Sequence, residues 1–65
     1  MKTEDRPHGK YLLCAVFHSP GWQVQIVPTQ PGLPTRSNEL PPIQDLDKEV
    51  AFAKARQAAD ELNSD

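Results

Sequence analysis

Two side chains invite a chemical reading first: Cys14 and His18, a thiol and an imidazole four residues apart. A thiolate activated by a histidine needs hydrogen-bond reach between the two groups. On a strand this spacing puts both on one face but separates them by about 13 Å. Nucleophilic catalysis is therefore not expected there, and a buried thiol acting as a small hydrophobe is the better reading. Cys14, His8 and His18 also lack the CxxC or HxxxH spacing of a metal site. Both histidines have polar loop neighbours and are expected to be solvated imidazoles. Asp45, Asp47 and Glu49 cluster without the full loop pattern of a calcium site, and acids at a helix start need no ligand to explain them. No constellation has the geometry that catalysis demands. The chain is expected to be no enzyme, with no cofactor, no metal and no small-molecule substrate.

The remaining chemistry is that of binding. Trp22 is either a stacking platform or partner anchor, or the largest side chain of a core shared with Val24 and Ile26. Gln23 and Gln25 lie on the opposite face, where glutamine on a two-stranded ribbon can read adenine in the major groove. A nucleic-acid-binding module would combine them with Lys10, Arg36 and the N-terminal arm that carries Lys2 and Arg6, and a solvated sheet face is the alternative. Pro28, Pro31 and Pro34 give PxxP spacing twice. They lack the flanking basic residue of a groove ligand and read as a stiff connecting loop.

Charge narrows the partners. The net charge is −2, with four Lys/Arg against three Asp/Glu over residues 1–40 and three against six over 41–65. Without a basic run, a protein held to nucleic acid chiefly by phosphate neutralisation is not expected. The longest apolar run, Tyr11 to Phe17, is far short of the roughly 20 residues of a spanning helix, so no membrane is expected. The charged start MKTEDRPHG has no apolar segment behind it and does not read as a signal peptide. A reduced, cytoplasmic setting follows as the expectation.

The elements that must position these residues come from periodicity and punctuation. Residues 1–9 are polar, contain Pro7 and Gly9, and are expected to form a flexible arm. A single domain is expected over residues 10–63. Its first strand runs from Lys10 to Phe17. His18-Ser19-Pro20-Gly21 carries Pro and Gly in the order of a type II turn. The second strand runs from Trp22 to Val27 and stops at Pro28. Residues 28–44 hold five of the seven prolines, which exclude a helix; Arg36 to Leu40 is the candidate for a short third strand. From Leu46 to Asn63 there is no Gly or Pro, and five alanines favour a helix capped by Asp45 or Asp47.

The helix stripe of Ala51, Phe52, Ala55, Ala58, Ala59 and Leu62 is mostly methyl groups. Large core residues must therefore come from the sheet: Tyr11, Leu13, Phe17, Trp22 and Ile26. The fold class is α+β, an antiparallel hairpin with a possible short third strand packed on one C-terminal helix. A tension remains, because the first strand is apolar on both faces. Leu12, Cys14 and Val16 have no evident cover within the chain. A 65-residue chain buries only about 60% of its unfolded surface, and one cysteine cannot form an internal disulfide. Self-association through Leu12, Cys14 and Val16 is the expected remedy, giving a homodimer or a protein partner.

Strand, turn, Gly-Trp-x-Val-x-Ile (Gly21 to Ile26), variable loop and Ala-rich helix (Val50 to Leu62) together resemble small uncharacterised bacterial and prophage-encoded ββα proteins. A similar ribbon-plus-helix unit occurs in integrase arm-binding domains, which read DNA with the sheet, and in small antitoxin-type domains, which bind a protein. This chain lacks the basic sheet face of the former. The resemblance implies a small accessory protein and assigns no functional residues.

Overall fold

The structure is a computed structural model and describes residues 2–37 and 39–63. Four strands and one helix follow in order: β1 (Thr3–His8), β2 (Tyr11–His18), β3 (Gly21–Pro28), β4 (Ile43–Asp45) and α1 (Lys48–Asn63). The strands form one antiparallel sheet in the order β1-β2-β3-β4. The helix lies across one face of it, so the expected α+β architecture holds.

Three local expectations change. The stretch expected to be a flexible arm is a strand: Thr3–His8 pairs with β2 from Thr3↔Val16 to His8↔Tyr11. Gly9 and Lys10 make the two-residue turn, with Gly9 at φ 62°, the glycine-first pattern of a type II′ hairpin. The short additional strand is Ile43–Asp45; of the candidate Arg36–Leu40, the described residues Arg36, Ser37, Glu39 and Leu40 belong to no strand, and position 38 lies outside the described residues. The hairpin turn is not type II: the Ser19-Pro20 bond is cis and Gly21 has no positive φ, which matches a type VI turn with proline at its third position.

Gly21 is required for space, since a Cβ there would stand 2.7 Å from the Asp45 carbonyl oxygen and 3.2 Å from the Leu46 Cα. The hairpin turn and the start of the helical segment touch backbone to backbone at this point. Asp47 is the helix N-cap. Its Oδ1 accepts the Glu49 N–H at 2.8 Å, while its carbonyl accepts the Ala51 N–H at 2.9 Å. Asp45 holds the preceding bend, accepting the Asp47 N–H at 3.0 Å.

The core joins Ala51, Phe52, Ala55 and Ala59 of α1 to Tyr11, Leu13 and Ala15 of β2, Val24 of β3 and Ile43 of β4. Phe52, Tyr11 and Leu13 are its large, fully buried members, each worth about 1.5–3 kcal/mol of apolar burial. Trp22, Ile26, Leu33, Ala58 and Leu62 pack around them. Phe17 is the exception among the expected core residues: at 37% exposure it lies at the rim, edge-on to Trp22 with centroids 5.4 Å apart. The Tyr11 hydroxyl donates to the Pro34 carbonyl at 2.6 Å, tying the long 29–42 loop to the sheet.

Gly21→Ala is expected to cost about 1–3 kcal/mol, the usual penalty of overpacking. Gln25→Ala, on an exposed strand position, should stay within about 0.5 kcal/mol. Urea unfolding of the two variants measures the contrast; equal midpoints would contradict the close approach at Gly21.

Candidate interaction surface

Because side chains alternate along a strand, the register sorts the sheet into two surfaces. Beneath α1 lie Glu4, Arg6 and His8 of β1, opposite Ala15, Leu13 and Tyr11 of β2. On the other face, Leu12, Cys14 and Val16 of β2 are flanked by Pro7, Asp5 and Thr3 on one side and Val27, Gln25 and Gln23 on the other. Gln44 of β4 extends this row beside Gln23. The three residues singled out by sequence thus form the central strip of the sheet face opposite the helix. They are half-buried by their neighbours, and Val27 alongside is 39% exposed.

Cys14 sits between Gln25 and Asp5 on this face. Its thiol is pushed up from the ordinary range, first by burial and then by the adjacent Asp5 carboxylate. A raised thiol is a poor nucleophile at neutral pH. His18 is exposed at the far end of the strand, paired with Gly21.

The residues of the nucleic-acid reading divide. Gln23, Gln25 and Arg36 line one groove of about 380 Å³ beside β3, together with Leu40 and Pro42. Lys10 stands apart in the β1–β2 turn, where its carbonyl accepts from the Thr29 N–H and hydroxyl. Of the other cations, Arg6, Lys48 and Lys54 are held in ion pairs. No basic surface forms from these groups. Trp22 packs against the core with Lys48 Nζ 5.6 Å from its ring centre. Its outer edge lines a hollow of about 560 Å³ with Pro20 and Leu46, beside the hairpin turn.

The inner face of β1 carries residues that sequence periodicity misses. Arg6 grips Glu49 with both terminal guanidinium nitrogens, at 2.7 and 3.0 Å, and bonds Glu4 through Nε. Lys48 reaches the second oxygen of Glu4 at 2.8 Å, and His8 meets Asp60 at 2.8 Å. The Arg6 guanidinium lies 4.2 Å from the centre of the Phe52 ring, a cation–π lid on the core. Every tie from β1 to α1 named here is electrostatic, and no β1 side chain enters the apolar core. The sequence signal is faint: Glu4, Arg6 and His8 occupy every second position, but Asp5 between the first two is charged as well.

Among the described residues no group of three or more His, Cys, Asp or Glu is placed to hold a metal ion. No helix among them is long and apolar enough to cross a membrane. No family model, no curated protein and no solved structure matches the chain.

The seam sets a pH dependence. Hydrogen bonds from Lys48 and then Arg6 hold the Glu4 carboxyl below its ordinary value of 4.5, and the Arg6 bond does the same for Glu49. A carboxylate with a depressed folded-state value contributes stability that is complete above its unfolded value and lost as pH falls through the folded one. Protection of β1 amides against hydrogen exchange, compared with β3 amides, is therefore expected to drop selectively as pH is lowered below about 4.5 and as salt is raised. Glu49→Gln should weaken both responses. Parallel loss of protection in β1 and β3 would contradict a seam built on these carboxylates.

Proposed function

We propose that this protein is a non-enzymatic interaction module that pairs with a second copy of itself through the open sheet face, in keeping with the small accessory proteins that its hairpin-plus-helix order resembles. One observation carries the reading. A single helix covers one side of the sheet, while Leu12, Cys14, Val16 and Val27 form an apolar strip on the other.

The surroundings of that strip suit an interface. An apolar centre inside a polar rim is the usual anatomy of a protein contact, and here the rim is Thr3, Gln23, Gln25 and Gln44. Only Asp5 brings a charge to the strands of this face, so two copies can approach with little like-charge repulsion. The molecule's two longer dimensions, 34 and 21 Å, bound the face at roughly 700 Å², close to the ~800 Å² per partner of a stable interface. Packing two such faces at about −30° gives a β-sandwich with the helices outside, related by the two-fold symmetry of most homodimers.

Light scattering across a concentration series tests this. The expected result is a mass approaching twice the 7.3 kDa of one chain, with Leu12→Lys and Val16→Lys monomeric at unchanged helical content. A mass near that of one chain at millimolar concentration overturns the reading. So does a shared movement of Lys10, Gln23, Gln25 and Arg36 amide signals on adding duplex DNA at low salt, since that result favours nucleic acid.

A further inference from the structure

β3 is eight residues long, but β4 covers only its Trp22–Val24 portion. What lies beyond follows from the hydrogen-bond phase. In an antiparallel pair, successive residues turn their N–H and C=O alternately toward one neighbour and the other. The Thr29 N–H donates to the Lys10 carbonyl at 3.0 Å, so the Lys10–Thr29 position is a bonded one between β2 and β3. Counting back along the register, Val27 and Gln25 face β2, whereas Ile26 and the Pro28 carbonyl face the other way. Ile26 therefore presents its N–H and C=O at the edge where β4 has already ended.

The chain's own sequence prevents β4 from covering this position. Trp22↔Asp45 and Val24↔Ile43 fix the register, and its extension places Pro41 opposite Ile26. Proline has no N–H to give the Ile26 carbonyl, and Pro42 restricts Pro41 further. A groove of about 380 Å³ lies between this edge and residues Arg36, Leu40 and Pro42. Arg36 is the one charged residue among those lining it.

We infer that this groove is a β-augmentation site: an extended peptide carrying an acidic side chain adds as a short strand antiparallel to β3, in the place β4 vacates. Its backbone pairs with the Ile26 N–H and C=O and donates to the Pro28 carbonyl, while the carboxylate meets Arg36. Main-chain bonds supply affinity in this mode and the side-chain pocket supplies selectivity. The site lies along the sheet edge and borders the face proposed for self-association, with which it shares Gln23, Gln25 and Val27, whereas Ile26 and Arg36 belong to the groove alone.

The test uses isotope-labelled full chain and a capped hexapeptide, Thr-Val-Glu-Val-Thr-Val. The expected result is a saturable shift of the Ile26 and Arg36 amides. Exchange of the Ile26 amide, which β4 does not pair, should slow by about tenfold at about ten times the dissociation constant. The same peptide N-methylated throughout should shift nothing, and its Glu-to-Lys counterpart should bind more weakly to the native chain and more tightly to Arg36→Glu. No shift up to millimolar peptide overturns the inference. Equal binding of the N-methylated peptide, or shifts confined to Leu12, Cys14 and Val16, overturns it too, the latter by locating the peptide on the open face. The mass measurement of the preceding section is unaffected by any of these outcomes.

Discussion

A single helix closes the core, and it does so almost entirely with methyl groups. Ala51, Ala55 and Ala59 are fully buried beside one large residue, Phe52. Small side chains let the helix settle close to the sheet but remove little area from water, so bulk must be supplied from below. That demand explains why Tyr11 and Leu13, neighbours on one face of β2, are the other two large, fully buried side chains. It also explains why β2 is central: the strand that fills the alanine face must have partners on both sides. The four-stranded width follows from this need, and so does the cost, since one helix has nothing to offer the opposite side of the sheet.

The two margins of the sheet meet the hazard of unpaired strand edges with different chemistry. At β1, charged side chains point inward and Pro7 interrupts the outer row of donors. The strand is held through Glu4, Arg6 and His8 to Lys48, Glu49 and Asp60 on the flank of the helix. At the other margin the device is Pro41–Pro42, which keeps β4 from starting before Ile43. One margin is thus guarded by charge, and the other is short by virtue of its prolines. These are opposite solutions: the first makes an extra strand unwelcome, and the second leaves room for one.

The parts of the fold that were legible in the sequence are those written in hydrophobic period. Trp22, Val24 and Ile26 alternate, the alanines of residues 51–59 recur at helical spacing, and both elements stand where they were expected. β1 was illegible because five of its six residues are polar and the sixth is Pro7. Its charges run unbroken from Glu4 to Arg6 with no period of two, and its partners lie 43 and 52 residues away on the helix. β4 was hidden by its brevity, and its apolar content is a single residue, Ile43. At the hairpin, Pro20 and Gly21 pointed correctly to a turn but not to its type. The glycine serves close approach to Asp45, a tertiary fact that no local pattern encodes. The open strip of Leu12, Cys14 and Val16 was legible because a surplus of apolar residues is visible before any fold is known. The groove at Ile26 was not, because it depends on where β4 happens to end.

The bond from Tyr11 to Pro34 gives the long connection between β3 and β4 a different character from its length. The residue that anchors it is fully buried, and Leu33, next to the anchored carbonyl, packs against the core. The connection is thus divided near its middle by a fixed knot, and each half closes its own short loop. Closure entropy grows only as the logarithm of length, about 0.6 kcal/mol for each doubling, so either half can lengthen at little expense. The Leu33–Pro34 knot cannot shift without stranding a phenolic hydroxyl in an apolar interior. Variation along this segment is therefore confined to the two spans on either side of a point that the core itself holds in place.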